Sequence, residues 1–345
     1  MIVLLSGQIK NIGDFLITDR AKKLFQEFVD KDVLLLDRTK DLTPFLDKIN
    51  NSRFVVLCGG PAYAPNIYKG IYPLVDDLSE IKVPIIPFGL GWSGDPAGQP
   101  EKFSFNDESS LFLKNIHENI EFSSCRDEIT EGIIQQNGYK NVQMTGCPVW
   151  YDLEFINDDF VPKEIKSIVI TTPADPRLFW QTIKLVRSMK KEFAKGTFYL
   201  SFHRGILPDK YTKVVTSIGY LLMCIGSKLF VPKIIIRDIA YDMEKMKFYE
   251  DIDFHIGYRV HAHLYFLSRR VPTVLINEDG RGMGMVKTLK MPMLNINDKN
   301  LFEKITETVR RYKSMDYTDF TKSKSVFDEK FVVMKNFLKN LSSKY

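Results

Sequence analysis

Apolar residues along this chain fall into short runs of four or five, separated by longer stretches with helical spacing. The runs Ile2–Leu5, Val33–Leu36, Arg53–Leu57, Ile85–Phe88, Ile120–Ser124 and Val142–Met144 read as strands. Between them lie amphipathic stretches such as "LITDRAKKLFQEFV" and "DESSLFLKNIH". Glycines and prolines gather in the turns "GQIKNIGD", "CGGPAYAP" and "GLGWSGDPAGQP". This alternation predicts an α/β domain on a mainly parallel sheet.

A break falls at "WYDLEFINDDFVPKE", which is acidic and contains Pro162. The rhythm then restarts with a strand at Ser167–Thr171 and a helix through "RLFWQTIKLVRSMKKEFA". Further strands are expected in "GTFYLSFHRG", "KIIIRDI", "DFHIGYR", "TVLIN" and "MPMLNIN". The expected architecture is α/β, with two Rossmann-like domains, 1–158 and 162–298, facing a cleft. A C-terminal helical segment, 299–345, follows. Its tail "SVFDEKFVVMKNFLKNLSSKY" carries an apolar stripe, which ordinarily packs on the protein's own surface. A peripheral membrane contact and a homo-oligomer contact through this stripe both stay open.

Composition narrows the class. The 345 residues are 44% apolar, enough for two cores, and 26% charged, as in folded soluble proteins. The net charge of +5 suits an anionic substrate or membrane surface. It is too small and dispersed to indicate nucleic acid. Four scattered cysteines form no CxxC pair, so buried free thiols in a reducing cytoplasm are expected. No stretch approaches the ~20 apolar residues of a membrane span. The opening "MIVLLSGQIKNIGD" reads as a first strand rather than a leader. A soluble cytoplasmic protein is expected.

Ligands of open α/β sheets bind beyond the carboxyl ends of the strands, so polar residues just after each strand are the candidates. In "IGYRVHAHLYFLS", Arg259, His261 and His263 lie at a βα turn and the first turn of a helix. Free backbone N–H groups and the helix dipole favour an anion there, and arginine adds a forked donor. Histidine beside it can move a proton near neutral pH. His263 reads as a core residue; Arg259 and His261 read as functional, because an arginine opening a buried helix needs an anionic partner. "NEDGRGMGM" reads as a loop that brings Glu278, Asp279 and Arg281 to the same cleft edge. His203, Arg204 and Asp209 follow another strand, Asp209 as an acceptor for a sugar hydroxyl. In the first half, Asn11 and Asp14 follow the first strand, and Gly59 and Gly60 a later one. Arg126 and Asp127 open a helix, where local pairing and capping compete with function. No P-loop, HExxH, GxSxG or carboxylate-rich metal triad is present.

"NIGD", "CGG", "SCRDEIT", "TGCP" and "YRVHAHLYFLSRRVPTVLIN" occur in that order. Together they resemble the polysaccharide pyruvyl transferase family, over about Met1 to Asn297. The resemblance implies a fold similar to the GT-B glycosyltransferases. It implies transfer of the enolpyruvyl unit of phosphoenolpyruvate onto a sugar of a cell-surface polysaccharide precursor, forming a pyruvate ketal. It further implies no resident cofactor or metal, and a glycan acceptor, often lipid-linked, at the inner face of the membrane. Arg259 and His261 would hold the donor, with His261 as general acid and Arg281, Arg126 and His203 beside them. The acceptor would lie near Asn11, Asp14 and Gly60. Where the family often has a lysine twenty positions after the RxHA histidine, this chain has Arg281. A planar fork there replaces a compact ammonium, which bears on any proton-transfer role of that position. The competing reading is a GT-B-type glycosyltransferase with a nucleotide-sugar donor, its diphosphate on Arg259 and Arg281 and its ribose on Glu278 or Asp279. A third is a silent glycan-binding protein, which would have little use for an anion cradle.

Overall fold

The short apolar runs pack as parallel strands buried on both faces, which is why they are continuous rather than alternating. The computed structural model describes residues 1–94 and 99–345. Its first half holds β1 (Ile2–Ser6), α1 (Ile12–Phe28), β2 (Val33–Asp37), α2 (Leu46–Asn50), β3 (Val55–Cys58) and β4 (Ile85–Phe88). Then come α3 (Asp107–Asn119), β5 (Ser123–Cys125), α4 (Glu128–Gln136) and β6 (Val142–Met144). The parallel order is β2-β1-β3-β4, and a bridge between Leu90 and Cys125 extends it to the pair β5-β6. The turn "GLGWSGDPAGQP" falls partly outside the described residues.

The second half holds β7 (Ser167–Thr171), α5 (Phe179–Glu192), β8 (Thr197–Phe202), α6 (Val214–Phe230) and β9 (Ile235–Asp238). It continues with β10 (Phe254–Gly257), α7 (Val260–Ser268), β11 (Thr273–Leu275), α8 (Gly280–Thr288), α9 (Leu301–Lys313) and α10 (Thr318–Lys344). Its parallel order is β11-β10-β7-β8-β9. The chain reverses direction across each sheet at one place, between β1 and β3 in the first and between β7 and β10 in the second. Such switch points leave a crevice at the strand ends, and here the two crevices face each other.

Packing of α7 against α1 and the 148–150 turn joins the halves. Asp152 binds Arg20 of α1 and Arg269 beyond α7, a buried link between them. Helix α10 returns to the first sheet. Phe327, Met334, Phe337, Leu338 and Leu341 are buried, the Phe337 ring stacks 6.1 Å from Phe88, and Arg53 Nη2 donates to Ser342 O at 2.6 Å. The C-terminal stripe therefore packs on the protein itself.

Two readings change. "NEDGRGMGM" is not a loop: Asp279 caps α8, accepting the Arg281 N–H at 2.9 Å, and burial of Met285 and Val286 offsets the cost of its glycines. "MPMLNIN" forms only a bridge, Asn277 to Asn295. All four cysteines are free, as expected; Cys58, Cys125 and Cys147 are buried.

Candidate active site

Three helices begin at the cleft: α1 after β1, α7 after β10 and α8 after β11. Each offers unpaired N–H groups and the positive end of its dipole. Their first turns line a cavity of about 180 Å³ together with five arginines, Arg38, Arg126, Arg204, Arg259 and Arg281. A chamber of about 490 Å³ shares Asn11, Asp14, Arg38 and Arg204 with it and reaches to Tyr211 and Lys213. Five guanidiniums cannot share so small a volume cheaply without anions to neutralise them. Among the described residues, Asp14 and Glu278 bring carboxylates to the same lining, and Asp127 and Asp279 pair with Arg126 and Arg281.

Arg259 is the N-cap residue of α7; its Nη2 donates to Pro173 O at 2.9 Å, while its Nε is buried and unpartnered. One fork is thus held by backbone and the other side is free for a ligand. His261 sits two residues on in the first turn, half-buried, with Nε2 likewise unpartnered. Burial first, then Arg126 and Arg281, bring its pKa down to about 3, so the imidazole is neutral. A Cβ at position 13 would stand 2.7 Å from His261 Nδ1, so the glycine of "NIGD" lets α1 approach α7 this closely.

Arg126 both pairs locally and lines the cavity. Its Nε donates to Asp127 at 3.0 Å and its Nη2 to Trp92 O at 3.0 Å, while Asp127 caps α4 through the Thr130 N–H at 2.8 Å. A Cβ at Gly91 would fall 1.8 Å from Arg126 Nε, so that glycine makes room for the side chain. Arg281 also lines the cavity, with its guanidinium paired to Asp279. His203 lines it too, but its Nε2 is bonded to Tyr249 Oη at 2.8 Å, and burial keeps it neutral.

On the first-domain side, Asn11 Nδ2 donates to Asp14 at 3.2 Å. Burial raises the Asp14 carboxyl above its ordinary pKa despite Arg38 and Asn11. Gly60 lies behind this wall; its neighbour Pro61 lines the cavity, and a Cβ at Gly60 would stand 3.4 Å from Arg38 Nη1. His263 is a core residue, as read from the sequence: it is buried, with Nδ1 2.9 Å from Thr273 Oγ1.

Asp209 is not available for a sugar hydroxyl, because it binds Lys10 at 2.7 Å, Tyr241 Oη and the Tyr211 and Thr212 amides. Glu278 binds the Ala174 N–H at 2.9 Å, and Asp279 is taken by Arg281 and its own helix. Asp279 is therefore engaged, while Glu278 still lines the cavity. Sequence reasoning missed Arg38 and Lys10. Arg38 immediately follows β2, so the strand-end rule applied there would have found it; Lys10 carries no such signal. Among the described residues, no three His, Cys, Asp or Glu side chains cluster as a metal site.

The fold is similar to that of several solved structures. Anabaena HepE in complex with UDP matches with TM-score 0.56 and 10% identity, over 100% of this chain and 99% of that one. S. aureus MnaA, in a co-structure with UDP, matches with TM-score 0.54 and 11% identity, over 91% and 90%. A putative UDP-N-acetylglucosamine 2-epimerase from Listeria monocytogenes matches with TM-score 0.52 and 10% identity, over 94% and 90%. At such identities the likeness shows a GT-B-like fold alone. No curated protein matches the sequence. The family model for polysaccharide pyruvyl transferase matches residues 11–280, from the asparagine of "NIGD" to the first residue of α8. That span takes in both walls of the arginine-lined cavity, and the chain belongs to the polysaccharide pyruvyl transferase family, a family of transferases.

Proposed function

We propose that this protein transfers the enolpyruvyl unit of phosphoenolpyruvate onto two hydroxyls of a sugar in a cell-surface polysaccharide precursor. The products are a cyclic pyruvate ketal and phosphate. The observation that carries this reading is the convergence of five guanidiniums on a cavity of about 180 Å³ in a chain of this family. A small donor with both carboxylate and phosphate satisfies them together.

Arg259, Arg126 and Arg281 hold the donor's anionic groups, with Arg38 and Arg204 at the boundary with the larger chamber. A polyanion beside Nε2 cancels the repulsion of Arg126 and Arg281 and opposes the effect of burial, so donor binding raises the proton affinity of this histidine. His261 passes its proton to the methylene carbon as C2 becomes cationic. The first sugar hydroxyl adds its oxygen to C2 and gives its proton to Asp14, whose raised pKa suits a base. The C2–O bond to phosphate breaks, the second hydroxyl adds its oxygen to C2 and closes the ring, its proton goes to the departing phosphate, and the proton on Asp14 returns by way of solvent to His261. One donor and one diol give one ketal and one phosphate. The glycan occupies the chamber of about 490 Å³, against Asn11 and Asp14. The setting is cytoplasmic, at the inner membrane face, with a lipid-linked acceptor.

The UDP complexes of MnaA and HepE keep a nucleotide-sugar donor as the competing reading. Thermal unfolding with phosphoenolpyruvate, and separately with UDP and nucleotide sugars, decides between them. A ligand at about a hundred times its Kd adds roughly 2.7 kcal/mol of stability. The expected result is a shift with phosphoenolpyruvate that Arg259→Ala abolishes. A shift with nucleotide sugars alone would sink the proposal.

A further inference from the structure

Helix α6 is built inside out. Its buried face carries Ser217, Tyr220, Met223, Gly226 and Ser227, and both serine hydroxyls are unpartnered there. Its outer face carries Val214, Val215, Ile218, Leu221, Leu222 and Ile225, all exposed. Leu229 and Phe230 continue the stripe, and Leu207 and Tyr211 precede it. Val215 and Leu229 are 77% and 76% exposed, whereas a solvent-facing helix would put charge at such positions. Lys228 is the single charged residue of the helix. The stripe runs about 25 Å, and apolar surface of that extent marks an interaction site.

We infer that α6 seats this protein on an anionic membrane surface. Cations rim the stripe: Lys210 and Lys213 before its first turn, and Lys228 and Lys233 at its far end, all exposed. Arg187 of α5 adds its guanidinium 5.3 Å from the Phe230 ring. The acids nearby are engaged, Asp209 with Lys10 and Asp238 with the Ile206 N–H at 2.9 Å. Apolar residues flanked by basic ones suit a helix lying in the headgroup plane. No helix among the described residues is long and apolar enough to cross a membrane, so α6 lies on the surface. A two-fold contact between copies would bring the same basic rim against itself, which disfavours a dimer through this face. Tyr211, Lys213 and Thr216 line the larger chamber, so the seated membrane meets the mouth of the cleft. Entry of a lipid-linked acceptor there rests on the function proposed above; the docking itself does not.

Co-sedimentation with vesicles of phosphatidylcholine, alone or mixed with phosphatidylglycerol, tests this. The protein should bind the mixed vesicles, and Ile218→Glu with Leu222→Glu should weaken binding about a hundredfold or more. Both positions are exposed, so the unfolding temperature should hold. Lys228→Glu with Lys233→Glu should weaken binding to the mixed vesicles and erase the preference for them. Absence of vesicle binding, or binding unchanged in Ile218→Glu with Leu222→Glu, would overturn the inference. So would a concentration-dependent dimer, seen by sedimentation velocity, that this variant dissociates. The phosphoenolpyruvate-dependent thermal shift is read separately on each variant, so failure of the donor reading leaves this test intact.

Discussion

Helices α6 and α7 follow strands of the same sheet, and both are rich in apolar residues, yet they end in opposite environments. In α7, every residue from Ala262 to Ser268 is buried, because α1 and the 148–150 turn cover the side away from the sheet. In α6 the sheet side mixes Tyr220 and Met223 with serines and a glycine, and the more apolar side is open. The difference is one of neighbours. Both helices cross from a penultimate strand to an edge strand, but α7 lies where the sheet meets the other domain, whereas α6 has no element over its outer side among the described residues. Apolar content tells that a face is to be covered, and the topology tells what covers it. For α7 the cover is the first domain, and the uncovered first turn lines the arginine-rich cavity.

The sharpest test of that division replaces His261 on the first turn. His261→Gln keeps a hydrogen-bonding side chain but removes the titrating ring. Ketal formation should fall by about 10²–10⁴-fold, the usual worth of a general acid. The phosphoenolpyruvate-dependent thermal shift should remain, since the arginines still hold the donor. Equal loss of binding and turnover would make His261 a ligand contact rather than an acid.

A smaller effect should separate the bodies of the two helices. Leu264 in α7 is fully buried, and Leu264→Ala should cost about 2–5 kcal/mol in denaturant unfolding. Leu222 in α6 is 46% exposed, and Leu222→Ala in vesicle-free solution should change stability by no more than about 0.5 kcal/mol. Similar costs for the two would mean that α6 is covered in solution by something that sedimentation should reveal.

Much of this arrangement was legible in the chain. The strand runs landed within two or three residues, because a parallel strand buried on both faces leaves a continuous apolar signature. Arg259 and His261 were legible because an arginine before a buried helix has few other uses, and His263 read correctly as core. Arg38, directly after β2, falls under the same strand-end rule as the other candidates; what the chain alone does not state is that β2 lies beside β1, which brings that strand end to the cavity. Helix α8 hid behind three glycines whose propensity argues for a loop; the Asp279 cap and the burial of Met285 and Val286 outweigh it. The outward face of α6 was illegible for the reason already given: periodicity marks a stripe without naming the side it faces.

The same contrast has a pH signature. His203, His255, His261 and His263 cluster around α7 and its strands, and burial lowers the pKa of each, to about 3 for His261 and His263. In the unfolded chain each titrates near 6.5. The folded state therefore binds fewer protons between these limits. The stability these groups contribute is complete above about pH 6.5 and is lost as pH falls toward the folded values. The slope is about 1.4 kcal/mol per pH unit for each histidine involved. Asp14 and Glu278, whose pKa burial raises, act in the opposite sense, so the histidine effect is read in the window just below pH 6.5, roughly, where the unfolded imidazoles take up their protons. Denaturant midpoints should fall across that window, and His263→Gln should make the fall shallower by one proton's worth. The variant Ile218→Glu with Leu222→Glu should leave the slope unchanged, because α6 carries no histidine. A flat profile in the unsubstituted protein would mean that these imidazoles reach water in the folded state, and that the cover over α7 opens far more readily than its packing implies.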